Sequence, residues 1–386
     1  MKYCKDAFTK EWGQKKEDLD NMLDFFKARS QNSKWIEVQI QDTRREIIPR
    51  GPMFTSEIKN IYKLNVDEDA ILDTQFMTGK SGGSQFILSL CNGKGDYLIS
   101  DIALDGLSYN IIGNTPNFKK LGKKYQKEAL DVFALANPEK TLKMFFSGDK
   151  IRAIQSNKYA PLDQYVLIAD LLKELKTRMG KSNIKLECGS YCHSNTHLIF
   201  SILNDSIFKE YRKKLLVSGI YNGKKIIPYV VFSTSDAGMS SAKVSAGFKI
   251  GKEEIELGNI LAVDHTRNNT TKTFNNNLKD LFTGYADLVG KMNKLMDIKI
   301  KYPLNTLKYL LADIEFPEIV ISQTLDCFYK EVIENRESSI SAHDIFVFSQ
   351  ISVNRLYISD KKKTKMKENI IRLLNKDDWK KYDKPM

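Results

Sequence analysis

The pattern of apolar and polar residues changes several times along the chain. Apolar residues recur at helical spacing over residues 1–30 and predict a helix there. Between Trp35 and Ile48 they partly alternate with polar residues, which predicts a strand. Residues 66–114 contain short apolar runs, and two of these flank Asn92-Gly93-Lys94-Gly95. Because Asn and Gly tolerate positive φ, this segment predicts a β-hairpin in a region rich in strands and loops.

The rest of the chain alternates helices with hairpins and then becomes helical. Two hairpins are predicted, at residues 141–154 and 184–203, and two strands, at 229–233 and 242–250. Segregated strands and helices are typical of an α+β fold, so we expect a largely antiparallel sheet flanked by helices and a mostly helical C-terminal third. The helical segments are 117–136, 163–178, 274–296, 303–314, 323–336 and a segment beginning within 339–358.

The length of the chain, 386 residues, predicts more than one folding unit. We expect an N-terminal helix with a β-rich region over 1–114, and an α+β central domain over 115–300. A helical C-terminal region with a basic tail would cover 301–386.

Charge points to an anionic partner. Lys and Arg outnumber Asp and Glu by 60 to 48, which gives a net charge of +12. Such an excess favours nucleic acid as the partner, and an acidic membrane less so. The alternative is a lysine-rich surface that serves only solubility.

The N-terminus and the cysteines predict a cytoplasmic protein that has no membrane partner. Residues 1–10 are charged and lack an apolar signal segment, and no run reaches the ~18 apolar residues that a membrane span needs. The five cysteines are irregularly spaced, which is typical of reduced thiols in a cytosol.

Two basic segments with interleaved aromatic residues are the strongest candidates for a nucleic-acid interface. Basic side chains contact phosphates and aromatic rings stack on unpaired bases, so the pairing favours single strands over duplexes. A solvated basic helix face is the alternative. The candidate residues in these segments are Lys119, Lys120, Lys123, Lys124, Tyr125, Arg212, Lys213, Lys214, Lys224 and Lys225. Arg152, Lys158 and Tyr159, which lie between the two segments, are further candidates.

A cluster of thiols and imidazoles offers an alternative chemistry. Cys188, Cys192, His193 and His197 lie within ten residues and are ligand types that zinc accepts. The Cys-x3-Cys-His spacing is unusual for zinc, and no second ligand pair exists elsewhere in the chain. We therefore favour a hairpin with half-buried thiols and no cofactor, with zinc as the alternative.

Two acidic clusters keep a metal-dependent nuclease open as a further alternative. Asp67, Glu68 and Asp69 are consecutive, and Glu253, Glu254 and Glu256 form the second cluster. Two-metal nucleases gather such carboxylates in space. Solvated acidic faces are the more ordinary interpretation, and no motif supplies a catalytic residue.

Two stretches resemble a known family. In the first, a predicted hairpin ends in an Arg-Ala-hydrophobic-x-Ser-x-x-Tyr-x-x-hydrophobic-Asp stretch, whose positions are filled by Arg152, Ala153, Ser156, Tyr159, Leu162 and Asp163. In the second, Thr234, Ser235, Asp236 and Gly238 form a Thr-Ser-Asp-x-Gly segment. Both are similar to segments of the phage/plasmid-like proteins grouped as domain of unknown function nine-three-two. A cysteine that follows the second stretch in that family has no counterpart near Leu257–Ile260.

The resemblance brings no established activity, but it implies a mobile genetic element in a bacterial host. With the basic charge, it leads us to expect a non-enzymatic protein that binds single-stranded DNA or RNA in replication, recombination or annealing, and that can form a homo-oligomer. The alternatives are an anti-defence inhibitor, which binds a host defence protein or its guide RNA, and the nuclease.

Overall fold

The computed structural model contains two β-sheets and a C-terminal set of helices. The strands are β1 (Trp12–Lys15), β2 (Ser33–Gln39), β3 (Thr43–Ile48), β4 (Gln85–Leu90), β5 (Gly95–Ile99), β6 (Thr141–Ser147), β7 (Lys150–Ser156), β8 (Ile184–Cys192), β9 (Asn195–Ile202), β10 (Ile226–Ser235), β11 (Ala242–Ile250) and β12 (Glu253–Val263). The structure describes residues 12–15, 19–48, 85–91, 95–113, 115–147, 150–192, 194–203, 209–218, 225–266, 269–334, 339–356, 358, 360–375 and 379–385.

Twelve α-helices occur in this described part of the chain. They are α1 (Leu19–Gln31), α2 (Asp101–Ile112), α3 (Thr115–Lys119), α4 (Lys123–Ala136), α5 (Gln164–Met179), α6 (Lys209–Ser218), α7 (Thr271–Leu278), α8 (Leu281–Asp297), α9 (Pro303–Asp313), α10 (Glu318–Phe328), α11 (Ala342–Arg355) and α12 (Asp360–Ile371). A π-helical turn, Tyr329–Ile333, continues from α10.

The first sheet is mixed and has the strand order β2-β6-β7-β5-β4-β3. All neighbours are antiparallel except β5 and β7, which pair in parallel. The hairpins β4–β5 and β6–β7 confirm the sequence prediction. Helices α2 and α4 cover this sheet, and their apolar faces join the strands in one core. The predicted boundary between residues 114 and 115 falls between strands of this single sheet.

The second sheet is antiparallel, with the strand order β8-β9-β10-β11-β12 and the short β1 added at the β8 edge. The β8–β9 hairpin and strands β10 and β11 match the prediction. The larger core lies on this sheet and includes side chains from α1, α5 and the helices after residue 271. The described residues of 271–386 are helical or loop, so the expected α+β class with a helical C-terminal third is confirmed.

Several expected elements differ from the observed ones. The first helix begins at Leu19, and Trp12–Lys15 forms a strand because it pairs with β8. The predicted helices 117–136 and 274–296 are each broken, at Lys120–Gly122 and at Lys279–Asp280. Helix α2 was not predicted, although Ser100 caps it by accepting from the Ala103 N–H.

Helix α4 buries only part of its apolar side chains. Leu130 and Ala134 are buried, but Val132 and Phe133, and Leu121 just before the helix, are exposed. The helix therefore packs on the sheet through a narrow face.

No helix in the described part of the chain is both long and apolar enough to cross a membrane.

Helix α2 crosses β7 at Gly106, where a side chain has no room. A Cβ atom added there would lie 2.0 Å from the Ile154 carbonyl oxygen. A Cβ atom added at Gly290, in α8, would have no atom of the described residues within 4 Å. We predict that Gly106→Ala lowers the free energy of unfolding by about 1–3 kcal/mol, because backbone must move. Gly290→Ala, the matched control, should be neutral or stabilising by up to ~1 kcal/mol. Urea unfolding of both variants checks this, and equal midpoints would contradict it.

Candidate functional site

A buried ion pair between Arg29 and Asp236, called the joint below, links the two sheets. Asp236, in the turn after β10, accepts hydrogen bonds on Oδ2 from Arg29 Nε at 3.0 Å and Nη2 at 2.5 Å. Tyr191 of β8 donates to the same oxygen at 2.8 Å. The Arg29 guanidinium also lies over the Tyr191 ring, 4.4 Å from its centroid, and 5.9 Å from the Phe145 ring of β6. Arg29 therefore contacts both sheets from α1.

A second arginine supports this joint from the mixed sheet. Arg152 of β7 is 1% exposed and donates from Nη2 to Ser194 Oγ at 2.9 Å. The carbonyl of Ser194 accepts from the Asp236 N–H at 3.1 Å. Arg152 and Asp236 thus both bind Ser194, in the turn between β8 and β9.

The charge of Asp236 is maintained despite its burial. Burial by itself would raise the pKa of this carboxyl group, but the positive charges of Arg29 and Arg152 and the hydrogen bonds from Arg29 and Tyr191 lower it overall. Asp236 is therefore ionised at neutral pH, and the joint is an ion pair between the buried carboxylate of Asp236 and the guanidinium of Arg29.

The two segments that resemble the phage/plasmid-like family meet at this joint. Gln155 Nε2 donates to the Ala237 carbonyl at 2.6 Å. Gly238 has a φ of 75°, and a Cβ atom there would lie 2.6 Å from the Tyr159 ring. Glycine is therefore required at 238 by both its backbone conformation and the close approach of Tyr159.

A cleft with a volume of about 310 Å³ opens beside the joint. It lies between α1, β2, β6, the start of α5 and the turn after β10. Its walls combine aromatic, cationic and polar side chains. The lining residues are Phe26, Arg29, Ser30, Ser33, Lys34, Trp35, Phe145, Pro161, Leu162, Asp163, Gln164, Tyr165, Asp236 and Thr271.

Aromatic rings form one wall of the cleft. Trp35 and Phe145 are stacked, with centroids 5.0 Å apart and an interplanar angle of 24°. Behind them, Tyr159 lies 4.7 Å from Trp35 and stacks on His265 at 5.0 Å. Trp35 remains half-buried and Tyr165 also lines the cleft, so aromatic surface is available to a ligand.

Two buried polar residues of the cleft wall have an atom that no described residue pairs. Gln164 accepts from Thr196 on its oxygen at 2.9 Å, whereas its Nε2 donor has no partner among the described residues. Asp236 uses Oδ2 in the ion pair, whereas its Oδ1 acceptor has no partner in the same part of the chain. Buried polar atoms are nearly always paired, so a ligand or water that reached this wall would supply the missing partners.

The structure corrects two of the residues that the sequence assigned to nucleic-acid binding. Arg152 is buried and bonded to Ser194, so its guanidinium cannot reach a phosphate on the surface. Tyr159 is 7% exposed and packs between Trp35 and His265, so it cannot stack on a base. Both residues support the cleft from behind. Lys158, in the turn after β7, is exposed.

The remaining basic candidates lie on separate helices. Lys119 pairs with Asp105 at 2.6 Å, and Lys123 lies 5.2 Å from the Phe86 ring centroid. Lys120, Lys124 and Tyr125 are exposed on the segment that covers the mixed sheet. The second group lies on or near α6, which packs on α8. In it, Lys214 pairs with Asp297, Arg212 donates to the Ile226 carbonyl, Lys213 and Lys225 are exposed, and Lys224 lies outside the described residues.

The Cys/His cluster is only partly described. Ser190 pairs with His197, and Cys188 with Ile199, so Cys188 and His197 lie on one face of the β8–β9 hairpin. His193 and the side chain of Cys192 lie outside the described residues. Burial raises the pKa of the Cys188 thiol, which disfavours a thiolate. Within the described residues, no three His, Cys, Asp or Glu side chains gather as a metal site.

The acidic cluster of β12 consists of residues that already have cationic partners. Glu253 contacts Arg355 at 3.4 Å, Glu254 contacts Lys249 at 3.2 Å, and Glu256 contacts Lys367 at 2.6 Å. These pairs neutralise the carboxylates that a two-metal site would need. Asp67, Glu68 and Asp69 lie outside the described residues.

Comparison with known proteins adds no relative: no protein-family model, no curated protein and no solved structure matches the chain. The function is therefore inferred from the geometry of the cleft and its surroundings.

Removing the charge of Asp236 should weaken the joint. We predict that Asp236→Asn lowers the free energy of unfolding by roughly 2–4 kcal/mol, because Arg29 and Arg152 lose a buried partner. Asp163→Asn is the matched control, since Asn also caps a helix and should cost little. Chemical unfolding at neutral pH measures both.

The same loss should depend on pH. A carboxyl group with a lowered pKa contributes stability above its ordinary pKa, 3.8, and that contribution disappears as the pH falls through the folded-state value. The difference between wild type and Asp236→Asn should therefore be full at neutral pH and shrink in strong acid. A difference that stays constant across this range would contradict the ionised pair.

Proposed function

We propose that the protein binds single-stranded nucleic acid without acting as an enzyme, and that the cleft holds one nucleotide of the strand. The observation that supports this most is that one cleft combines half-buried aromatic rings, the cations Arg29 and Lys34, and two buried polar atoms that have no partner among the described residues. Its volume, about 310 Å³, is at the lower end of the ~300–1,000 Å³ of ligand sites. Such a cleft suits a single unstacked nucleotide and is too small for a duplex.

The aromatic wall would supply the binding energy for the base. Every base has a π-face, so stacking on Trp35 or Tyr165 tolerates any sequence and contributes about 1–3 kcal/mol per base. The rings of Phe145 and Tyr159 pack against Trp35 and hold its side chain in place, which reduces the entropy lost on binding.

The sugar-phosphate backbone would be bound by the positive charge of Lys34 and by the N-terminus of α7 at the edge of the cleft. Lys34 is exposed beside Trp35, and Thr271 begins α7, whose N-terminal N–H groups favour an anion. Asp163 already occupies the N-terminus of α5 by accepting from the Tyr165 and Val166 N–H groups. The phosphate is therefore expected near Lys34 and Thr271, away from Asp163.

The unpaired polar atoms would bind the edge of the base. Gln164 Nε2 is a donor and Asp236 Oδ1 is an acceptor, and base edges carry both complementary groups. The resemblance to phage/plasmid-like proteins includes Asp163 and Asp236 on the cleft wall. We infer from it that the binding serves replication, recombination or annealing of a phage or plasmid in a bacterial cytoplasm.

Replacing Trp35 should reduce binding with little effect elsewhere. We predict that Trp35→Leu weakens affinity for a labelled single strand by about 1–3 kcal/mol, roughly 5- to 150-fold. Tyr329→Ala removes an aromatic side chain that is 45% exposed outside the cleft, and it should leave affinity unchanged. Fluorescence anisotropy measures affinity, and circular dichroism checks that both variants are folded.

The salt dependence separates the cleft from the two basic helices. Lys34→Ala should reduce the slope of log affinity against log salt by about 1, because one phosphate contact is lost. Lys124→Ala and Lys213→Ala should leave the slope unchanged. If the slope falls for Lys124→Ala or Lys213→Ala instead, the interface lies on α4 or α6. Equal affinity for duplexes, or no binding at low salt, would defeat the proposal.

A further inference from the structure

His265, just after β12, fixes the segment that leads from β7 into the cleft wall. The Ala160 N–H donates to the His265 carbonyl at 3.1 Å, and His265 Nδ1 lies 3.2 Å from the Ala160 carbonyl oxygen. Because a carbonyl oxygen only accepts, Nδ1 carries the proton of the neutral ring and Nε2 is bare. Pro161, Leu162 and Asp163, the next three residues, line the cleft. The position of this part of the wall therefore depends on His265.

The ring of His265 also supports the aromatic wall from behind. It stacks on Tyr159 with centroids 5.0 Å apart and an interplanar angle of 12°. Tyr159 in turn lies 4.7 Å from Trp35. A displacement of His265 is therefore transmitted to Trp35 through one intervening ring, and Trp35 is the residue on which we expect a base to stack.

The surroundings of His265 favour its neutral form. Nε2 is buried, and none of the described residues forms a hydrogen bond with it. Burial lowers the pKa of His265 from its ordinary value of 6.5. The carbonyls of Ala160 and Ser240 act in the opposite direction, as do the negative charges of Asp264 and Asp236, but burial outweighs them. A proton therefore binds more readily to an arrangement that exposes this ring to water.

The other ionisable groups at this wall do not account for a response in mild acid. Burial raises the pKa of Tyr159, and the charge of Arg29 helps to keep the pKa of Asp236 below 3.8. Lys143 donates to the Tyr159 carbonyl at 2.8 Å, and Asp264 is exposed. Histidine is the side chain whose ordinary pKa lies between about pH 5 and 8, so His265 is the group expected to titrate there.

We propose that His265 is a positioning residue that makes strand binding by the cleft depend on pH. The neutral ring holds residues 159–163 and Trp35 in the binding arrangement, and the protonated ring releases them. This inference rests on the proposed function, because it concerns the same cleft.

The direction of the effect follows from the lowered pKa of His265. An arrangement that releases the ring has the ordinary pKa, 6.5, and so binds a proton more tightly than the arrangement with the ring in place. As the pH falls below 6.5, the released arrangement gains at most about tenfold per pH unit. Affinity for a strand should therefore be full at neutral pH and fall in mild acid.

The first test compares affinities for a labelled thymidine oligonucleotide, whose bases do not titrate in this range, at about pH 7.5 and about pH 5.5 and constant ionic strength. Wild type should bind several-fold to about tenfold more weakly at the lower pH. His265→Asn keeps a side-chain N–H but does not titrate, so the ratio of its two affinities should be close to one. His197→Asn, at an exposed position on β9, is the matched control and should keep the wild-type ratio. A wild type without pH dependence, or a His265→Asn variant that keeps it, would overturn the proposal.

A second test needs no nucleic acid. The chain has four histidines, and the ring signal of His265 in a nuclear magnetic resonance spectrum is the one that His265→Asn lacks. The fluorescence of Trp35 is the difference between wild type and Trp35→Phe. We expect this fluorescence to change with the same pH midpoint as the His265 ring, and to stay constant in His265→Asn. A Trp35 signal that stays constant while His265 titrates would overturn the proposal even if strands bind. If no strand binds at any pH, the proposed function fails, whereas a shared midpoint still supports the action of His265 on the wall.

Discussion

The ion pair between Asp236 and Arg29 is the interaction on which the arrangement of the molecule depends. Asp236 follows a strand of the antiparallel sheet, and Arg29 lies on the helix that leads into the mixed sheet. Breaking a buried pair leaves a charge without a partner, which is far more costly than never forming it. The contact therefore restricts how the sheets can be placed, with Arg152 and Ser194 holding the neighbouring turn.

The cleft is a consequence of that joint. Asp236 holds Arg29 of α1, Ser30 of α1 donates to Asp163 at the start of α5, and the cleft beside these contacts is lined by Trp35 and Tyr165. The aromatic and cationic lining follows from the elements that the joint brings together: β2 provides Lys34 and Trp35, and β6 provides Phe145. A binding site between two sheets is also rigid on both sides, which favours recognition of a flexible strand.

Local patterns predicted most of the hairpins and helices, because turn residues and apolar periodicity act within a few residues. They did not predict β12, whose three glutamates resemble a solvated turn until Arg355, Lys249 and Lys367 pair with them. The predicted boundary between residues 114 and 115 also separates strands of the mixed sheet, because the parallel pairing of β5 with β7 joins residues 52 positions apart, such as Leu98 and Lys150, and leaves no local signal.

The candidate site was predicted less well than the fold. The sequence pointed to Arg152, Tyr159, Asp163 and Asp236 through the family resemblance, and they do gather at the joint. It did not indicate which of them would be buried, since burial is decided by strands distant in the chain. Arg29 and Trp35 were missed as site residues because each is ordinary in its own helix or strand. Their role depends on contacts with residues more than 100 positions away.

The most direct test of the cleft is photochemical cross-linking of a single-stranded oligonucleotide that carries halogenated pyrimidines, with the attached peptides identified by mass spectrometry. Stacked aromatic residues react with such bases, so contact is recorded at the residue itself. Binding in the cleft predicts cross-links at Trp35 or Tyr165. Cross-links confined to Tyr125 on α4, or to residues of α6, would contradict the proposed site.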